Sequence, residues 1–280
     1  MTRSMTLSFP PFTRAIKILI AINGGIFFLM LLLRPTPFAS QAQWVASWLA
    51  LRAHDVVQGH VYQLLTYGFL HATFFHIFFN MLMLWMFGSM LETSWGSRRF
   101  WEFYLFGVVG SGLGTVVLAY TLGPIVNLSP AVPTVGASGG IYAILMATGM
   151  LFGDQKVFMF PFPVAIKLKY LVGILAVIAL AGALGDRGDT ANVAHLSGLL
   201  VGYLYVKFAP RRGLLPSFSE SYYGIINSYH RWQRRRAGKK FKVYMRKHEN
   251  DPKEYFDEYG NYKPPSEKDK SDRGPGGWVN

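Results

Sequence analysis

The chain has 280 residues, of which 51% are hydrophobic and 15% charged, with no cysteine and a formal net charge of +13. Residues 1–210 carry only twelve Lys/Arg and six Asp/Glu. That is too few to coat a soluble domain of this length, so the composition excludes an ordinary water-soluble globule and calls for long membrane-embedded segments. The missing cysteine excludes disulfides, Cys-ligated zinc and thiol catalysis.

Six apolar stretches read as membrane helices, at about 13–33, 74–92, 102–122, 138–153, 168–185 and 192–209. The fourth and sixth are short for a span and are expected to begin below the membrane surface. The first follows Arg3, Arg14 and Lys17, as a signal peptide would, but its run from Ile18 to Leu33 is long for one and more spans follow. It therefore reads as a retained helix after a short N-terminus, residues 1–12. The loop at 35–73 is long, and Trp44, Trp48 and Leu51 recur in it at helical spacing. This suits either a helix in the interface or packing on the protein's own outer face. Glycine-rich "GVVGSGLG" (107–114) lies inside the third span and reads as helix packing, not a phosphate loop. "RGD" at 187–189 is too short a match to carry meaning.

Arg3, Arg14, Lys17, Arg98, Arg99, Lys156, Lys167, Lys169, Lys207 and the C-terminal tail fall on one side of a six-span layout. Arg34, Arg52 and Arg187 fall on the other. The bias places both termini in the cytoplasm. Ser138 then opens the fourth helix and His195 lies near the start of the sixth, both entering from the outer side and hence at similar depth.

Ser138 stands in "GASGG", and a serine nucleophile needs a base and donors for the developing oxyanion. His195 is the candidate base, because an imidazole inside an apolar span is costly unless paired or functional. A satisfied structural histidine is the competing reading. Ala194, Gly198 and Gly202 form one smooth stripe, and Gly139, Ala143 and Ala147 another, which lets the two helices approach closely. Tyr142, one turn after Ser138, is placed to cover the imidazole. His76 and Asn80, four apart in the second helix, are candidate oxyanion donors beside the Ser138 N–H, or alternatively structural bridges. No acid lies in the outer half of any span, so a Ser–His dyad is expected, with Asp186 and Asp189 in the preceding loop as the remaining candidates for a third member. His71 reads as a structural polar contact in the outer loop. No H-E-x-x-H zinc motif occurs, and the strand that a soluble G-x-S-x-G elbow requires is missing. No metal and no cofactor are expected.

G-x-S-G at Gly136–Gly139, His-x-x-x-Asn at His76–Asn80 and Ala-His-x-x-Gly-x-x-x-Gly at Ala194–Gly202 together resemble the rhomboid intramembrane serine proteases, over roughly residues 60–209. "GSMLETSWGSRRF" (88–100) resembles the family's glycine–glutamate–glycine stretch. The resemblance implies an all-α polytopic membrane protein, a six-transmembrane-helix bundle over 13–209 with a long first outer loop. It assigns Ser138 as nucleophile and His195 as base, His76 and Asn80 to an oxyanion hole with the Ser138 backbone, Tyr142 to stacking on the histidine, and Glu92 to a structural role. Tyr62-Gln63 departs from the family's usual Trp-Arg pair; Gln63 keeps hydrogen bonding and loses the charge. The expected substrates are transmembrane segments of other proteins, in a bacterial inner membrane. A non-catalytic rhomboid-like protein that binds membrane clients is the alternative. A transporter is disfavoured because neither mid-membrane charges nor a repeat between halves is present.

Residues 210–280 form a basic tail. "RWQRRRAGKKFKVYMRKH" (231–248) contains nine Lys/Arg and no acid, suited to anionic lipid headgroups, with Trp232, Phe241 and Tyr244 as anchors. Simple positive-inside charge explains it equally well, and nucleic acid is not an expected partner. Composition beyond it suggests disorder.

Overall fold

The computed structural model describes residues 10–159, 164–185 and 189–210, with Gly213, Tyr229, His230, Trp232 and Arg236 beyond them. The chain divides into two units, 1–215 and 216–280. In the second, the Tyr229 and Trp232 rings stack and the Arg236 guanidinium lies 4.1 Å over Trp232. Phe241, Tyr244 and the rest of the basic stretch lie outside the described residues.

The first unit is a helical bundle. Helix α1 (Arg14–Leu33) is apolar on every side; only Ala15, Ile16, Leu19, Asn23 and Phe27 are buried, and the exposed Ile18, Ile22, Phe28 and Leu32 form a surface suited to lipid. Its N-terminus is capped from another helix: the Glu92 carboxylate accepts from the Ala15 N–H (2.9 Å), the Ile16 N–H (3.2 Å) and the Thr13 hydroxyl. One buried acid thus takes up the free donors at a helix start. Helix α2 (Ala39–Leu49) buries no residue, with Trp44 62% exposed. Leu51 does not belong to it: the residue is buried and pairs as an isolated bridge with Thr134. Short helices α3 (Ala53–Val57) and α4 (Gln63–Thr66) complete the outer loop.

The second span is α5 (Phe74–Met83), a π turn (Leu84–Gly88) and α6 (Ser89–Trp95). The turn brings Gly88 against α1, where a Cβ would stand 2.6 Å from Ile16 Cδ1. Then come α7 (Ser97–Thr121), one-turn α8 (Gly123–Val126), α9 (Ser138–Leu151), α10 (Leu168–Ala183) and α11 (Thr190–Phe208). Among the described residues α1, the 74–95 helix and α7 are long and apolar enough to cross a membrane; α9 and α10 are shorter apolar helices. The sixth helix, with 19 residues, is not short; the 16-residue fifth is shorter. Between α9 and α10 an antiparallel hairpin pairs β1 (Lys156–Met159) with β2 (Val164–Lys167), an exception to the all-helical expectation.

Helices α7, α9 and α11 form the centre. Where α11 meets α9 the contact is nearly bare backbone, and α7 packs small side chains against glycines. A Cβ on Gly202 would lie 2.5 Å from the Ala143 carbonyl oxygen, one on Gly107 would lie 2.9 Å from Ala143 Cβ, and one on Gly198 would overlap the Gly139 carbonyl. Dispersion between backbones at this separation, rather than escape from water, is what holds helices together in lipid.

Candidate active site

Ser138 is the first residue of α9, so its N–H has no intrahelical acceptor and points out at the positive end of the helix dipole. The approach to it is pinned at two places. Leu51 and Thr134 exchange backbone hydrogen bonds (3.0 and 2.8 Å), and the Gly136 N–H donates to the Tyr67 carbonyl (2.9 Å). Gly136 has φ +129°, and a Cβ there would meet His76 Nε2 at 2.7 Å. Both the backbone angle and the imidazole therefore demand glycine at this position.

His195 arrives from the second turn of α11. Its Nε2 is 2.8 Å from Ser138 Oγ. The Tyr142 ring stacks on the imidazole, centroids 4.1 Å apart and planes within 1°. With the serine hydroxyl donating to Nε2, the imidazole proton resides on Nδ1, which has no hydrogen-bond partner among the described residues. Asp189 is not that partner. It caps α11, accepting from the Ala191 N–H (2.9 Å) and the Asn192 amide (2.7 Å). Asp186 lies outside the described residues.

His76 stands beside the Gly136 turn, its own N–H bonded to Thr73 Oγ1 at the start of α5. The Asn80 side chain is buried and donates to the His76 carbonyl (2.9 Å); one amide hydrogen is occupied within the helix and one remains. His71 has a polar neighbour in the outer loop, the Phe69 backbone, though not through a hydrogen bond of normal geometry. Its ring sits edge-on to His76 at 5.1 Å. Burial, reinforced by His76, lowers its pKa to about 4, so the ring is neutral. His71 and Val135 also line a cavity of about 510 Å³ shared with Met30 of α1, Arg34 just past its end and Gln43 of α2. Among the described residues no three His, Asp or Glu side chains gather as metal ligands would.

A rhomboid domain model matches residues 58–212, more than half of the chain. The chain belongs to the rhomboid family. This rhomboid is 34% identical over 140 residues to the mitochondrial Rhomboid protein 1 of Saccharomyces cerevisiae, covering 49% of this chain and 39% of that one. It is 30% identical over 155 residues to the Rhomboid protease GlpG of Haemophilus influenzae, covering 55% and 72%. To the mitochondrial RHOMBOID-like protein 6 of Arabidopsis thaliana it is 28% identical over 173 residues, covering 61% and 52%. It thus spans less than half of the yeast protein and about half of the plant one.

In this rhomboid the Gln63 departure is accommodated locally. The side chain is fully buried, its oxygen accepting from the Arg52 N–H (3.0 Å) and its nitrogen donating to the Trp48 carbonyl (3.0 Å) and to Asp55 (3.3 Å). Arg52 in turn donates to the Ser47 carbonyl and pairs with Asp55. Two residues near the dyad escaped the sequence reading. Ser111 of α7 donates to the Ala194 carbonyl (2.6 Å), and Tyr67 donates to the Val108 carbonyl (2.8 Å). Ser111 was hidden in a glycine run read only as packing; a hydroxyl mid-span was the available signal.

Proposed function

We propose that this rhomboid is an intramembrane serine endopeptidase acting through a Ser138–His195 dyad on transmembrane segments of other membrane proteins. The observation that carries this reading is the 2.8 Å hydrogen bond between Ser138 Oγ and His195 Nε2 under the Tyr142 ring. Ser138 Oγ attacks the scissile carbonyl carbon while its proton passes to Nε2. The carbonyl oxygen becomes an oxyanion facing the Ser138 N–H, His76 and the free Asn80 amide hydrogen. The C–N bond breaks as Nε2 returns the proton to the leaving amine. Water then adds to the acyl-enzyme, losing its proton to Nε2; the ester bond to Ser138 breaks as Nε2 returns that proton to Ser138 Oγ, and the released carboxylic acid ionises in water. Each oxyanion donor contributes about 2.7–4 kcal/mol to such a transition state. A helical substrate must unwind to expose its carbonyl, which favours segments with small residues and helix breakers near the outer boundary.

The same reading places the protein in a bacterial inner membrane with both termini cytoplasmic and residues 210–280 as a basic tail on anionic headgroups. The Lys/Arg distribution supports the orientation and the basic tail, and the compact six-span layout supports the choice of membrane. Cleavage of a reporter transmembrane helix in proteoliposomes is expected for the wild type and not for Ser138→Ala, and a fluorophosphonate is expected to label only the wild type. Equal cleavage by both proteins removes the proposal.

A further inference from the structure

Taking the dyad as read above, what holds its two helices at hydrogen-bonding distance? Among the described residues no acid hydrogen-bonds to His195 and its Nδ1 has no partner, so the distance depends on where α9 and α11 sit. A second route joins them without using either dyad side chain. On the serine side, the Tyr67 carbonyl accepts from the Gly136 N–H, two residues before Ser138 (2.9 Å). On the histidine side, Ser111 donates to the carbonyl of Ala194, the residue before His195 (2.6 Å). The two halves meet over Gly139. A Cβ placed there would have Ser111 Oγ as its nearest neighbour and the Tyr67 hydroxyl at 3.0 Å. The Tyr67 hydroxyl is fixed in turn to the Val108 carbonyl, three residues before Ser111 on α7 (2.8 Å). Ser111 is fully buried and Tyr67 is 1% exposed, so neither bond competes with water.

We infer that Tyr67 and Ser111 form a brace, Gly136–Tyr67–Ser111–Ala194, that sets the separation of Ser138 and His195 from α7; both are positioning residues. Thr115 supplies an internal comparison. It is buried on the same helix one turn away, but among the described residues its hydroxyl bonds only to the Ser111 carbonyl within α7 (2.9 Å), which ties nothing to α9 or α11.

The test uses the absence of cysteine from the chain. In the full-length Ser138→Cys protein the only thiol faces His195, and an imidazole partner lowers a thiol pKa from its usual value of about 8.5. The midpoint of the pH profile for iodoacetamide alkylation reads the pairing directly, whether or not any substrate is cleaved. Adding His195→Ala is expected to raise the midpoint towards that of a free thiol. Adding Ser111→Ala or Tyr67→Phe is expected to raise it part of the way, and adding Thr115→Val to leave it in place. In the native-serine background, Ser111→Ala and Tyr67→Phe are each expected to slow fluorophosphonate labelling about 3- to 10-fold, the loss of one hydrogen bond, with the final labelled fraction unchanged. A midpoint that moves with His195→Ala but not with Ser111→Ala or Tyr67→Phe overturns the brace and leaves the dyad. So does an equal shift from Thr115→Val, which marks general loosening. A midpoint indifferent to His195→Ala removes the dyad and the brace with it. A responsive thiol in a protein whose wild type cleaves no reporter removes the peptidase reading and leaves the brace standing.

Discussion

Among the described residues the imidazole of His195 is held by a stacked ring and by no carboxylate, the stacking being worth about 0.5–1.5 kcal/mol beyond the area it buries. His71 pays a different cost for its place, because it is buried neutral beside His76 with the Phe69 backbone as a weak polar partner. Its pKa falls from the 6.5 of a free imidazole to about 4 in the fold. The unfolded chain therefore takes up a proton at His71 before the folded one does. Stability from this group is complete above pH 6.5, declines as the pH drops towards 4, and levels off below. At about 1.36 kcal/mol per pKa unit the full loss is on the order of 3 kcal/mol. The melting temperature in detergent, followed from pH 7.5 to 3.5, is expected to fall over that window, and His71→Asn to remove part of the fall. Superimposable profiles for the two proteins would show that His71 does not titrate there. The sequence made His71 visible as a polar residue in an apolar loop but gave no hint of how weakly it is partnered, since hydrogen bonding depends on which loops close over a ring. Ser138, His195 and Tyr142 were legible because one helical register and one topology bring them to the same depth. Gln63 was legible only as a substitution; the Arg52–Asp55 pair that surrounds it arises from the turn at Ala53–Val57.

At the scale of elements, period and glycine spacing carried most of the information. The stripe Ala194–Gly198–Gly202 faces α9 at Gly139 and Ala143, where four-residue spacing puts small residues on one line. Since the neighbours are backbone atoms, they cannot turn aside for an added methyl group. Gly202→Ala sets a Cβ 2.5 Å from the Ala143 carbonyl oxygen and must part α9 from α11, with overpacking costing about 1–3 kcal/mol. Gly173→Ala in α10 meets nothing within 4 Å and replaces glycine with a better helix former. Thermal unfolding should therefore drop for Gly202→Ala and stay level or rise for Gly173→Ala, and fluorophosphonate labelling should slow only in the first. Matching melts would mean that α9 and α11 do not pack through this stripe. The hairpin at 156–167 was missed because "KVFMFPFPV" is short, apolar and rich in proline, a run that fits a loop between spans as well as two strands. The π turn at Leu84–Gly88 has no sequence signature beyond its glycine.

Across the helical bundle as a whole, the dyad and the lysines past α9 and on α11 lie at opposite helix ends. Helix α9 runs from Ser138 to Leu151, and Lys167 and Lys169 then converge on Asp154 (3.2 and 2.8 Å) just past its far end. Helix α11 likewise starts near His195 and carries Lys207 in its last turn. At 1.5 Å per residue, about 20 Å of helix lies between the dyad and the lysines. A membrane that retains basic loops on the cytoplasmic side must then present Ser138 and His195 towards the opposite face. Single cysteines report this without background, because the chain has none of its own. In bacterial spheroplasts, Ser129→Cys, in the exposed segment before the serine's turn, should react with a membrane-impermeant maleimide, while Lys156→Cys should react only after permeabilisation. The reverse pattern would put the dyad on the cytoplasmic side and overturn the orientation drawn from the lysines. Labelling of both in sealed spheroplasts would mean that the chain inserts in both directions, so that the excess of positive charge at one end does not fix its topology.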